Sequence, residues 1–81
     1  MRVTVRMFAR AKDLAGTSSV AVDIAEGGTV SQLRRQLAER YPSLARLLDH
    51  SAFAVNDDFA DDSQPIPANA EVALLPPVSG G

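Results

Sequence analysis

The five residues Glu71 to Leu75 carry apolar side chains on both sides of a two-residue period, Val72 and Leu74 on one and Ala73 and Leu75 on the other. A strand of that composition suits the middle of a sheet, where both edges are paired and both faces are at least partly covered. The next segment must then leave from the centre of the sheet. That segment is Pro76, Pro77, Val78, Ser79, Gly80 and Gly81. Two prolines hold the backbone extended and disfavour a return as helix, and two glycines carry the chain onward as bare backbone. Such an end fits a narrow active site, so the carboxylate of Gly81 is expected to be the working group. The alternative is a terminus of small residues with no task of its own.

The remainder of the chain supplies partners for that central strand. Val3, Val5 and Met7 alternate with Arg2, Thr4 and Arg6, and Val20, Val22 and Ile24 alternate with Ala21 and Asp23, so each stretch predicts a strand with one buried face. They are expected to pair as a hairpin with a long loop. Residues Ala9 to Ser19 form that loop, with a turn or a single helical turn closed at Gly16. Phe8 falls on the polar side of the first strand's alternation, either as a packing residue of a second face or as part of an exposed contact patch; the contact patch is favoured.

Thr29-Val30-Ser31-Gln32 has the form of a capping box and predicts a helix start. Val30, Leu33, Leu37 and Tyr41 share one face of that helix, and Pro42 ends it. Gly27-Gly28 before the cap lacks a phosphate-loop lysine and glycine spacing, so ordinary capping is expected there. Leu44, Leu47 and Leu48 predict a short second helix. Phe53 to Asn56 predicts a third strand, turning through Asn56-Asp57-Asp58 into Phe59-Ala60. Pro65, Pro67 and Asn69 then lead to the last strand through a turn.

Several kinds of chemistry find no residues here. At 81 residues the chain holds one small domain, expected over residues 1–75 with an extended tail over 76–81. It has no cysteine, which excludes a disulfide frame, a thiolate zinc site and a cysteine nucleophile. His50 is the single histidine and has no companion ligands. Asp57, Asp58, Asp61 and Asp62 lack the glycine and terminal glutamate of a calcium loop. No metal and no tightly bound cofactor is therefore expected. Every lysine and arginine lies at or before Arg46, and six carboxylates come after it, a distribution that disfavours nucleic acid. With no long apolar run and no signal-peptide pattern, the expectation is a soluble cytoplasmic protein that avoids membranes.

Phe8-Ala9-Arg10-Ala11-Lys12-Asp13-Leu14-Ala15-Gly16, Ala54-Val55-Asn56, Glu71-Val72-Ala73 and the ending from Pro76 to Gly81, taken together, resemble the MoaD family, the small sulfur-carrying subunits of molybdopterin synthase. The resemblance covers nearly the whole chain. It implies an α+β, ubiquitin-like β-grasp fold, a mixed sheet packed on one main helix with an extended C-terminal tail. It also implies three partners: an ATP-dependent activating enzyme, a sulfur donor, and the large synthase subunit in a heterotetramer. Gly81 would be adenylated, converted to a thiocarboxylate, and used there to add sulfur to cyclic pyranopterin monophosphate. By the same pattern Phe8, Phe59 and Leu75 are the candidates for a docking patch, and Pro76, Pro77, Val78, Ser79 and Gly80 thread the partner. The chain departs from the family at Ala68-Asn69-Ala70-Glu71, where a glycine-containing turn is usual.

The chemistry implied is coherent. A carboxylate becomes an acyl donor only once its oxygen is made a leaving group, as adenylation does before a sulfur nucleophile attacks. A carrier of that kind needs docking and a thin tail rather than a catalytic site of its own. Two other functions use the same tail: sulfur carriage for thiamine or cysteine synthesis, and conjugation to target lysines as a ubiquitin-like tag.

Overall fold

The computed structural model describes residues 1–77. Its strands are β1 (Arg2–Met7), β2 (Ser19–Asp23), β3 (Ala52–Val55), β4 (Asp58–Ala60) and β5 (Glu71–Leu75), and its helices α1 (Ala9–Ala15), α2 (Val30–Arg40) and α3 (Ala45–Leu48). The strands form one mixed sheet in the order β2-β1-β5-β3-β4, which puts β5 at its centre. β5 runs parallel to β1 and antiparallel to β3, so both of its edges are hydrogen bonded.

The register is set by the hydrophobic alternation. Val20, Val5, Val72 and Val55 stand opposite one another across four strands, and Met7, Leu74 and Phe53 form the next inward row. A slip of one residue in any strand would turn its inward row to solvent, so each pairing enforces the others. Against this face lie Val30, Leu33 and Leu37 of α2, and Leu44, Leu48 and Ile66 belong to the same buried cluster. Leu37 is 0% exposed. Leu37→Ala is expected to cost about 2–5 kcal/mol, the usual range for a buried leucine, read as a lower urea midpoint at unchanged slope. A loss below about 1 kcal/mol would mean that the site collapses around the truncation or that the helix face is misassigned.

Helix α2 begins as its sequence dictates. The Thr29 hydroxyl accepts from the Gln32 amide at 3.3 Å, and the Gln32 side chain accepts from the Thr29 amide at 3.0 Å. The amides of Val30 and Ser31 donate to the carbonyls of Gln64 and Asp62, so the loop after β4 satisfies the rest of the first turn. With those donors occupied, this is a capped helix start rather than an anion site. Gly28 is required beside it, because a Cβ there would lie 2.8 Å from both the Ala25 carbonyl oxygen and the Gln32 amide oxygen.

Two connections differ in detail from their sequence reading. α1 spans seven residues rather than a single turn, held by the buried Ala11 and closed at Gly16, whose φ is 74° and whose amide donates to the Lys12 carbonyl. Ala9 at its start has a φ of 50°, which swings the chain sharply out of β1 just after Phe8. The third strand stops at Val55, because Asn56 and Asp57 take φ values of 51° and 71° as the two central residues of a tight hairpin turn. Asn69, with φ 61°, supplies the left-handed residue before β5, so the missing glycine is replaced by the side chain that best tolerates that conformation.

Arg34 is a structural residue that its sequence position does not betray. From α2 its guanidinium donates to the carbonyls of Leu48 and Ser51 and to the Asp62 carboxylate, and it sits 5.0 Å from the centre of the Phe53 ring. It thereby caps the end of α3 and ties down the loop that covers the start of α2. Arg34→Ala is expected to cost about 2–4 kcal/mol, since buried carbonyls lose charged donors. Urea titration checks this: a change within about 0.5 kcal/mol, typical of surface sites, would show the cluster to be replaceable by water.

Candidate docking face and tail exit

The helices cover only one side of the sheet. On the open side the alternation places Arg6, Ala73, Ala54 and Phe59 in one cross-strand row, and Leu75 opposite Ala52 in the next. Phe8 comes after Met7 in extended conformation, and because Met7 pairs with Leu74, Phe8 stands level with Leu75. Strand spacing of about 4.8 Å places β4 about 10 Å from β5 and about 14 Å from β1. The structure thus brings Phe8, Leu75 and Phe59 to one face, over a floor of small side chains from Ala52, Ala54 and Ala73.

Exposure distinguishes the three. Phe59 is 78% exposed and Phe8 38%, whereas Leu75 is half-buried. The guanidinium of Arg6 lies over the Phe8 ring, 5.4 Å from its centre, in cation–π range. An exposed phenylalanine at the sheet edge beside an alanine floor offers a pocket-filling group with little to hinder a partner's approach. The three alanines escaped sequence reasoning, although they share the two-residue parity of Leu75 and Phe59 and could have been found by it.

Pro76 is half-buried and Pro77 exposed where the chain leaves β5. Val78, Ser79, Gly80 and Gly81, expected to carry the tail's function, lie outside the described residues. The charge beside Pro77 comes from elsewhere in the chain. Arg10 of α1 and Arg46 of α3 stand beside it in a groove that His50 also lines, although the C-terminal sequence itself is acidic. Among the described residues, no group of three histidine or carboxylate side chains is placed to hold a metal, and no helix is long and apolar enough to cross a membrane.

The sequence description of the ThiS family matches residues 5–81, from the middle of β1 through the last glycine. The chain belongs to the ThiS family. Within it, the molybdopterin synthase sulfur carrier subunit of Dictyostelium discoideum is 35% identical over 80 residues, covering 95% of this chain and 93% of its own. Among solved structures, SAMP1 of Haloferax volcanii superimposes with a TM-score of 0.87 at 30% identity, covering all of both chains. Subunit 1 of the molybdopterin-converting factor of Helicobacter pylori, solved as a complex with subunit 2, gives 0.71 at 28% identity, again over all of both chains. The fold is the ubiquitin-like β-grasp, and the chain is a MoaD-type member of its family. The family match spans every described element from α1 onward together with the tail, so neither the open face nor Gly81 is an appendage to it.

Proposed function

We propose that this chain is the sulfur-carrier subunit of a molybdopterin synthase and that Gly81 is its acyl-carrying residue. The observation that carries the reading is the near-complete match, tail included, to curated sulfur carrier subunits of that enzyme. In this reading the Gly81 carboxylate attacks the α-phosphorus of ATP on an activating enzyme and pyrophosphate leaves. A sulfur nucleophile then displaces AMP to give the thiocarboxylate. The large subunit transfers that sulfur to cyclic pyranopterin monophosphate and returns the carboxylate. Acyl-adenylate and thiocarboxylate are covalent intermediates, and the chain binds no resident cofactor. Phe8, Phe59 and Leu75 dock it, while Pro76 to Gly80 reach into the partner. Two carriers and two large subunits form the working heterotetramer, in the cytoplasm where ATP is at hand.

The chain itself performs no acid, base or metal chemistry in this scheme. Its contribution is positional, holding one reactive carbonyl at the end of a side-chain-free segment. A second reading is favoured by the likeness to SAMP1, one of the small archaeal modifier proteins: Gly81 could pass from the adenylate to a target amine instead of sulfur.

Intact mass spectrometry separates these readings. The chain is incubated with ATP, an activating enzyme and a sulfur source, then treated with a thiol-alkylating reagent. Replacement of one oxygen by sulfur is nearly isobaric with sulfoxide formation at Met1 or Met7, but only the thiocarboxylate takes the alkyl group. The expected result is an alkylated C-terminal fragment ending at Gly81. An unmodified chain beside a demonstrably active activating enzyme would overturn the proposal, and an ATP-dependent ladder of conjugates would favour the modifier.

A further inference from the structure

Pro77 forms one wall of a groove of about 330 Å3 beside the tail exit. Arg10 and Leu14 of α1 form another wall, and Arg46, Leu47 and His50 a third. The floor is apolar: Leu14 is 37% exposed and Leu47 half-buried. The rim is cationic. Among the described residues neither Arg10 nor Arg46 lies within 4.0 Å of a carboxylate, and no lining residue is acidic. Asp13 and Asp49 are carried by the same region of chain but do not line the groove.

The position of this groove limits what can cover it. Four residues separate Pro77 from the end of Gly81, and an extended chain advances at most about 3.6 Å per residue, about 14 Å in all. Any protein that closes around the Gly81 carbonyl must therefore bring the rim of its opening to within that distance of Pro77. Arg10, Arg46 and His50 share a groove with Pro77 and so lie within reach of that rim. Covering two guanidinium groups with a neutral surface would forfeit their hydration without replacement, a cost that opposite charge offsets. The apolar floor suits a hydrocarbon side chain, and the arginines beside it suit flanking carboxylates.

We propose that this groove is a second docking point, taking an acidic segment of the large synthase subunit beside the opening that receives the tail. The proposal rests on the sulfur-carrier reading. Carboxylates of that segment face Arg10 and Arg46, and an adjacent apolar side chain covers Leu14 and Leu47. The groove steers association and sets the rotation of the carrier about its tail, whereas the open sheet face supplies most of the buried apolar area.

The test measures association with the cognate large subunit across a salt series for the wild-type chain and for the double variant Arg10→Glu, Arg46→Glu. Both side chains are exposed, so the fold is expected to survive, and a melting curve checks it. The expected result is an association rate at least about tenfold lower at low salt, with the wild-type decline of rate with salt abolished or reversed. A lysine placed at an acidic position of the large subunit's rim should restore the variant's rate. An unchanged rate and salt dependence overturns the proposal. So does ATP binding that the double variant loses while its association stays normal, which would assign the groove to a nucleotide. Failure of the sulfur-carrier reading looks different: the wild-type chain itself would not bind the large subunit, and the proposal falls with it.

Discussion

A chain ending at Gly80 is expected to fold as the full chain does and to transfer no measurable sulfur. Among the described residues the inward rows of the sheet end at Leu74, and Gly81 has no side chain to pack, so the melting temperature is expected not to move. The shortened chain still ends in a glycine carboxylate, and the loss is one of position. Its carbonyl would fall one residue short, about 3.4 Å along an extended chain. Reacting atoms must approach to about 3–3.5 Å, and a misplacement of only 1 Å can cost about a hundredfold. Thiocarboxylate formation and molybdopterin production should therefore both fall by more than two orders of magnitude. Normal molybdopterin production by the shortened chain would sink the sulfur-carrier reading.

Phe59→Ala is expected to separate binding from folding in the opposite sense. With 78% of its surface exposed, Phe59 contributes little to the core, and its loss should change stability by no more than about 0.5 kcal/mol. An aromatic side chain at the centre of a protein interface commonly accounts for about 2 kcal/mol or more of binding, so affinity for the large subunit should fall at least about thirtyfold. Titration calorimetry beside a urea curve measures both quantities on one preparation. An affinity within a factor of about two of wild type would remove Phe59 from the docking face. A large loss of stability would instead mean that the ring holds β4 in place.

The parts of this fold that depend on neighbours in sequence were legible there. Alternation in β1 and β2, the Thr29–Gln32 cap, the stop at Pro42 and the Asn56-Asp57 turn are local events, each decided within four or five residues. The central place of β5 was legible for a related reason, since apolar residues on both faces leave a strand few other positions. Features made by distant residues were hidden. Nothing around Arg34 announces that it will meet Leu48, Ser51 and Asp62, because those partners arrive only when α3 and the loop after β4 close over α2. α1 was underestimated because its seven residues make only about two turns, too short for an apolar stripe to stand out, and its one buried residue is the small Ala11. Of the candidate site, Phe8, Phe59 and Leu75 were named from family resemblance. Their placement on one face, and the alanine floor between them, required the register. The basic groove required the fold, since Arg10 and Arg46 are far apart in the chain and opposite in setting to the acidic sequence near the tail.

The central placement of β5 also bears on how the molecule carries load. A partner that grips the tail pulls along the axis of β5, and the hydrogen bonds to β1 and β3 lie across that axis. Such a pull loads both ladders in shear, with many bonds sharing the strain, rather than opening them one at a time like a zipper. A tail fixed to an edge strand would have a single ladder to resist the same tug. Under the sulfur-carrier proposal, this geometry lets the domain be withdrawn by its tail from one enzyme and handed to the next without unravelling.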